Sequence, residues 1–133
     1  MATLGTNICP DTRAEDFPKE QTIEMIEEMK SLRPYWFGDY YPLTSINADD
    51  QLWCGWQLDR PDMGEGFAML FRRKDSPYPN IVVALKGLVP DAHYKVLFVD
   101  SSEGCVMTGS ELSELVVELD TPASSMLIRY KKH

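Results

Sequence analysis

Carboxylates, hydroxyls and a dense cluster of aromatic rings are the side chains here with chemistry to offer. Asp49, Asp50, Asp59, Asp62 and Glu65 crowd one stretch of sequence, and paired carboxylates are the equipment of general acid/base catalysis, glycosidic cleavage above all. That reaction needs two carboxyl groups facing each other at about 5 to 9.5 Å. Here they fall among Pro61, Gly64 and Gly66, where aspartate ordinarily fills turn positions by bonding its own backbone. The turn reading is the stronger. Ser101, Ser102, Ser124 and Ser125 bring hydroxyls without a Gly-x-Ser-x-Gly elbow, and neither His93 nor His133 has an acid at a recognisable spacing. Gly64-Glu65-Gly66 precedes no helical pattern, so it lacks the N-terminus that turns a glycine loop into a phosphate cradle. Cys9, Cys54 and Cys105 lie far apart with no Cys-x-x-Cys pair, which draws no zinc site of ordinary spacing. No metal and no cofactor is expected.

The aromatics say more. Tyr35, Trp36, Phe37, Tyr40 and Tyr41 stand around Gly38-Asp39 and end at Pro42. An amphipathic ring can stack on a sugar face while its polar tip hydrogen-bonds, but such rings equally plug the gap between packed domains, and packing is the better reading. Trp53 alternates against Leu52, Cys54 and Trp56 and sits beside Gln51 and Gln57, so it is expected to face outward and to need a partner. The candidate residues for docking on another domain, or for touching sugar, are Trp53, Tyr35, Trp36, Asp39, Tyr40 and Tyr41.

These residues must be held by a chain of 133 residues, 44% apolar, with a net charge of -8. That length suits one core that needs no staple to fold. The acidic balance, with basic residues only in doublets such as Arg72-Arg73 and Lys131-Lys132, excludes a phosphate-backbone binder, so nucleic acid is not an expected partner. No apolar run approaches the roughly 20 residues of a membrane span, and Met1 to Thr6 lacks the pattern of a secretion signal. With an odd cysteine count, this points to a reduced, cytoplasmic setting away from membranes.

Residues 1–16 read as an irregular lead-in. Asp16 is placed to cap a helix, Pro18 suits its first turn, and Ile23, Met25, Ile26 and Met29 keep helical spacing to Leu32. Arg33-Pro34 is expected to end it, because proline pushes its predecessor out of helical geometry. The chain thus divides into 1–33 and 34–133. Beyond the division the period becomes two. Strands are expected over Gln51 to Leu58 (inner face Leu52, Cys54, Trp56, Leu58), Phe67 to Arg72, Ile81 to Lys86, Tyr94 to Val99, Leu115 to Leu119 and Met126 to Lys131. Taken two by two they suggest three hairpins. With no crossover helices between them, the fold class is all-β, an antiparallel two-layer β-sandwich preceded by one N-terminal α-helix.

Longer motifs carry a resemblance. Arg33 to Thr44 (RPYWFGDYYPLT) resembles the segment leaving the catalytic barrel of family 36 glycoside hydrolases, the melibiase or α-galactosidase type. Leu58 to Gly66 (LDRPDMGEG), Phe71-Arg72-Arg73, Leu85 to Leu88 (LKGL), Thr108 to Leu112 (TGSEL) and Ile128-Arg129-Tyr130 resemble the C-terminal β-sandwich of those enzymes. Leu4 to Asp11 and the helix from Phe17 to Leu32 look like the last turn-and-helix portion of the barrel. The resemblance implies a parent that hydrolyses terminal α-galactosides with retention, using two aspartates on barrel strands upstream of residue 1. It implies no catalytic residue in this chain. It implies instead a non-catalytic accessory domain that docks on the missing barrel and stabilises it, through Tyr35 to Tyr41 with Trp53, and that self-associates when the barrel is absent. The alternative is a carbohydrate-binding module that takes galactosides on an outward Trp53.

Overall fold

The computed structural model describes Arg13, residues 15–99 and residues 103–133, and the lead-in, Cys9, the motif from Leu4 to Asp11 and Ser101-Ser102 lie outside this set. The chain separates into two compact units, Met1–Trp36 and Phe37–His133.

In the first unit, helix α1 runs Lys19–Leu32, with Pro18 at its N-cap position and no side-chain cap. Asp16 is therefore not the cap. The carbonyl of Pro18 accepts from both the backbone N–H and the hydroxyl of Thr22, at 3.0 and 2.8 Å. The apolar stripe is only partly covered, since Leu32 is buried while Ile23 and Met25 remain 50% and 42% exposed. Arg33 stays helical at φ -53 and ψ -41 despite the proline after it. Instead of breaking, the chain tightens into a 3-10 turn over Arg33–Phe37, a geometry that often finishes a helix.

The second unit holds β1 (Asp39–Pro42), β2 (Cys54–Arg60), β3 (Glu65–Arg72), β4 (Asn80–Val83), β5 (His93–Phe98), β6 (Glu103–Thr108), the short α2 (Gly109–Leu112), β7 (Leu115–Glu118) and β8 (Ser124–Lys132). Six strands form one sheet in the order β1-β2-β3-β8-β5-β6, and β4 pairs with β7 in a second. All pairings are antiparallel. The two-layer sandwich after one helix is the expected class. Its pairing is not three hairpins, however. The β2–β3 hairpin forms as expected, but β4 pairs with β7, and β8 lies between β3 and β5. At nine residues, β8 can supply a ladder to a long strand on each side. The four-residue β4 and β7 match each other in length.

Residues directly opposite in an antiparallel pair share a face. Ala68 and Leu70 of β3, Ile128 and Tyr130 of β8, and Tyr94 and Val96 of β5 meet Val83, Leu115 and Val117 of the second sheet in one buried cluster. Gly55 and Gln57 stand opposite Leu70 and Ala68, so they belong to that core face. Cys54, Trp56 and Leu58 share the other face with Phe71, Met69 and Phe67, where Trp56 stacks on Phe71 at 5.2 Å. The expected inner face of β2 is thus inverted. The large sheet is apolar on both sides, so alternation is present but does not say which side meets the second sheet.

Candidate functional site

Asp59 ends the core face of β2, one residue short of the turn. It is 3% exposed and accepts a 2.7 Å hydrogen bond from the Tyr130 hydroxyl. That hydroxyl accepts in turn from Gln57 Nε2 at 2.7 Å. The Gln57 amide also donates to the Lys86 carbonyl and accepts from the Lys86 N–H, both at 2.8 Å. Gln57 therefore bonds the connection after β4 as a neighbouring strand would. Two glycines make room. A Cβ on Gly66 would lie 2.1 Å from the Tyr130 hydroxyl, and one on Gly87, at φ +74, would lie 3.0 Å from Asp59 Oδ2. The expectation of Asp59 as a turn residue is overturned. Asp49 and Asp62 do bond locally, Asp49 Oδ1 accepting from the Gln51 N–H at 2.9 Å and Asp62 from Arg60 at 2.7 Å, while Asp50 pairs with Lys74 at 3.1 Å.

Burial pushes the Asp59 carboxyl above its ordinary value of 3.8, against the lowering effect of the Tyr130 bond and helped by the Asp39 carboxylate, its partner on β1. Tyr130 is raised by burial and by Asp59. Tyr41 is raised by desolvation and by Asp39 and Asp59. Folded Asp59 holds its proton more tightly than the unfolded carboxyl does. Its contribution to stability is whole below 3.8 and is lost as pH rises through the higher folded value. An Asp59→Asn variant should lack that fall. Urea denaturation at pH 4 and pH 7 should show the variant gaining on the wild type as pH rises, and a constant difference would contradict the assignment.

Trp53 does not face outward. It is 5% exposed, belongs to the inter-sheet cluster and donates its indole N–H to the Tyr78 carbonyl at 3.0 Å. It precedes Cys54 on the face of Gly55, and so extends the core beyond the start of β2. The other candidates are spread out. Tyr35 is buried and Trp36 half-buried, while Phe37 and Tyr40 are 88% and 53% exposed. Asp39 is exposed and Tyr41 half-buried, and both share the side of Asp59 and Gln57.

A cleft of about 320 Å³ opens beside Trp53, between the β1–β2 and β3–β4 connections, with Thr44, Gln51, Leu52, Tyr78 and Asn80 in its walls. Its two loops are tied together. Arg73 donates to the carbonyls of Asp49 and Asn47 at 2.7 and 2.8 Å, and the Asp75 N–H donates to the Asp50 carbonyl at 3.2 Å. Neither this cleft nor the Gln57-Tyr130-Asp59 network was read from the sequence. Gln57 and Asp59, two apart in an apolar strand, and Tyr78 between two prolines are the signals that mark them.

No protein-family model matches the sequence, and no curated protein matches it. Solved structures do. An α-galactosidase of glycoside hydrolase family 36 from Geobacillus stearothermophilus, AgaB, is 25% identical with a TM-score of 0.69, over 92% of this chain and 17% of that one. The chain has the fold of a family 36 α-galactosidase segment. AgaA from the same organism, in complex with 1-deoxygalactonojirimycin, gives the same identity, TM-score and coverage. The α-galactosidase from Lactobacillus brevis is 19% identical at a TM-score of 0.71. The chain spans about one-sixth of the length of these enzymes, 17% in each case, which fits an accessory domain.

Proposed function

We propose that the chain is a non-catalytic accessory domain of an α-galactosidase-type glycoside hydrolase, docked on a catalytic barrel outside this sequence and stabilising it, with residues 1–33 as the barrel's edge. The observation that carries this reading is coverage, 92% of this chain matching 17% of an α-galactosidase, and each unit keeps exposed apolar side chains, Ile23 and Met25 in the first and Phe37 and Tyr40 in the second. Where such groups form a contiguous patch, they mark a surface that meets a partner. Asp59 is buried and bonded to Tyr130, so this carboxyl serves the packing of the sandwich. A module that stacks sugar on an outward Trp53 loses that platform, because the ring is 5% exposed.

Without its barrel, the chain should bind an apolar dye and sediment as a dimer or larger species. The double variant Phe37→Ser/Tyr40→Ser should lose most of the dye signal while remaining folded, since exposed substitutions usually shift stability by no more than about 0.5 kcal/mol. The pure chain should not turn over an aryl α-galactoside. A clean monomer that binds no dye would overturn docking, and turnover by the chain alone would overturn the non-catalytic reading.

A further inference from the structure

We propose that the cleft between the β1–β2 and β3–β4 connections binds a neutral saccharide of one or two rings. None of its residues belongs to the Tyr35 to Tyr41 stretch, so the assignment does not depend on docking.

Size comes first. At about 320 Å³ the cleft is at the small end of ligand sites, which begin at about 300 Å³. The lining comes second. Among the described residues it includes no Lys, Arg, Asp or Glu, so an ionic ligand would lose hydration without gaining a counter-charge from the lining. Leu52 and Trp53 supply apolar wall, while the side-chain amides of Gln51 and Asn80 hydrogen-bond to none of the described residues. A pyranose matches that mixture, with C–H faces for the walls and hydroxyls around its edge for amide donors and acceptors.

The third argument is preorganisation. Tyr78 lines the cleft with 62% of its surface in solvent, and its hydroxyl bonds to none of the described residues. It sits between Pro77 and Pro79, whose fixed φ angles stiffen the backbone on both sides. Its carbonyl is held by the Trp53 indole. The loop across the cleft is fastened by Arg73 and by the pair of Lys74 with Asp50. A backbone held in this way costs less ordering when a ligand arrives.

The test is an amide-resolved NMR titration of the full chain with methyl α-galactoside, methyl α-glucoside and melibiose, with cyclohexanol as an apolar ring of similar size. Saturable shifts confined to residues 43–53 and 76–81 are expected for at least one saccharide, with cyclohexanol much weaker. Tyr78→Ala should weaken binding at least about tenfold, Tyr78→Phe should change it far less, and Gln51→Ala should weaken it in a chain whose remaining spectrum is unaltered. No saturable shift from any saccharide by about 100 mM, a hundredfold beyond ~1 mM binding, overturns the proposal. Shifts centred elsewhere, or an equal response to cyclohexanol, overturn it too.

Discussion

A Gln57→Leu variant is expected to lose about 2 to 4 kcal/mol of stability in chemical denaturation, because a buried polar group deprived of its partner costs about 1 to 3 kcal/mol. Gln57 is 0% exposed, and its amide serves the N–H and carbonyl of Lys86 and the hydroxyl of Tyr130 together. Leucine fills similar space and serves none of them. Water that reaches the Lys86 backbone recovers part of the loss, which keeps the effect below the sum of separate penalties. Lys86→Ala makes the control. The bonds to residue 86 come from its backbone, so that variant should stay within about 0.5 kcal/mol of wild type. If Gln57→Leu did the same, the network would have no structural role.

An Arg72→Met variant should cost a similar amount, about 2 to 4 kcal/mol, since hydrogen bonds to charged donors contribute about 1.5 to 3 kcal/mol each and the neutral chain still fills the site. Arg72 is 7% exposed. Its guanidinium donates to the carbonyls of Leu119 and Asp120, both at 2.8 Å, and to that of Ser76 at 2.9 Å. One side chain thereby fixes the β3–β4 and β7–β8 connections to each other. A planar fork does this where a point charge cannot, so Arg72→Lys should recover less than half of the loss. Hydrogen exchange should locate the damage at residues 73–79 and 119–123. A lysine variant as stable as wild type would show that charge, not geometry, is what the site requires.

The sequence made the fold class legible because helical and two-residue periods are local, and the change at Arg33-Pro34 is abrupt. The strands with one polar side were also placed correctly, as with Leu115 and Val117 facing in while Val116 faces out. Pairing was not legible. It depends on contacts such as Phe67 with Arg129, far apart in sequence, and nothing local distinguishes them from adjacent hairpins. β2 misled for a related reason. Leu52, Cys54, Trp56 and Leu58 are more apolar than Gln51, Trp53, Gly55 and Gln57, yet the core takes Trp53 and Gln57 because the amide finds all its partners there. Polar satisfaction is a tertiary property. β1 and β6 escaped because Asp39–Pro42 and Glu103–Thr108 are short and mixed in character. For the site, the aromatic stretch drew attention to Phe37 and Tyr40, which are exposed. The cleft was hidden because it joins two loops that only folding brings together.

The position of β8 bears on how the protein is made. The strand latest in the sequence lies at the middle of the large sheet, with β3 on one side and β5 on the other. While the ribosome is still extending the chain, β2 and β3 can pair, as can β5 and β6, but the two halves share no ladder until residues 124–132 emerge. Each half meanwhile presents an open edge, the kind of surface that recruits strands from other chains. Closure of the large sheet therefore waits for β8 rather than growing gradually. A premature stop between Leu119 and Ser124 should leave the two ribbons of the large sheet without a ladder between them, for proteases and chaperones to find, not a slightly shorter sandwich.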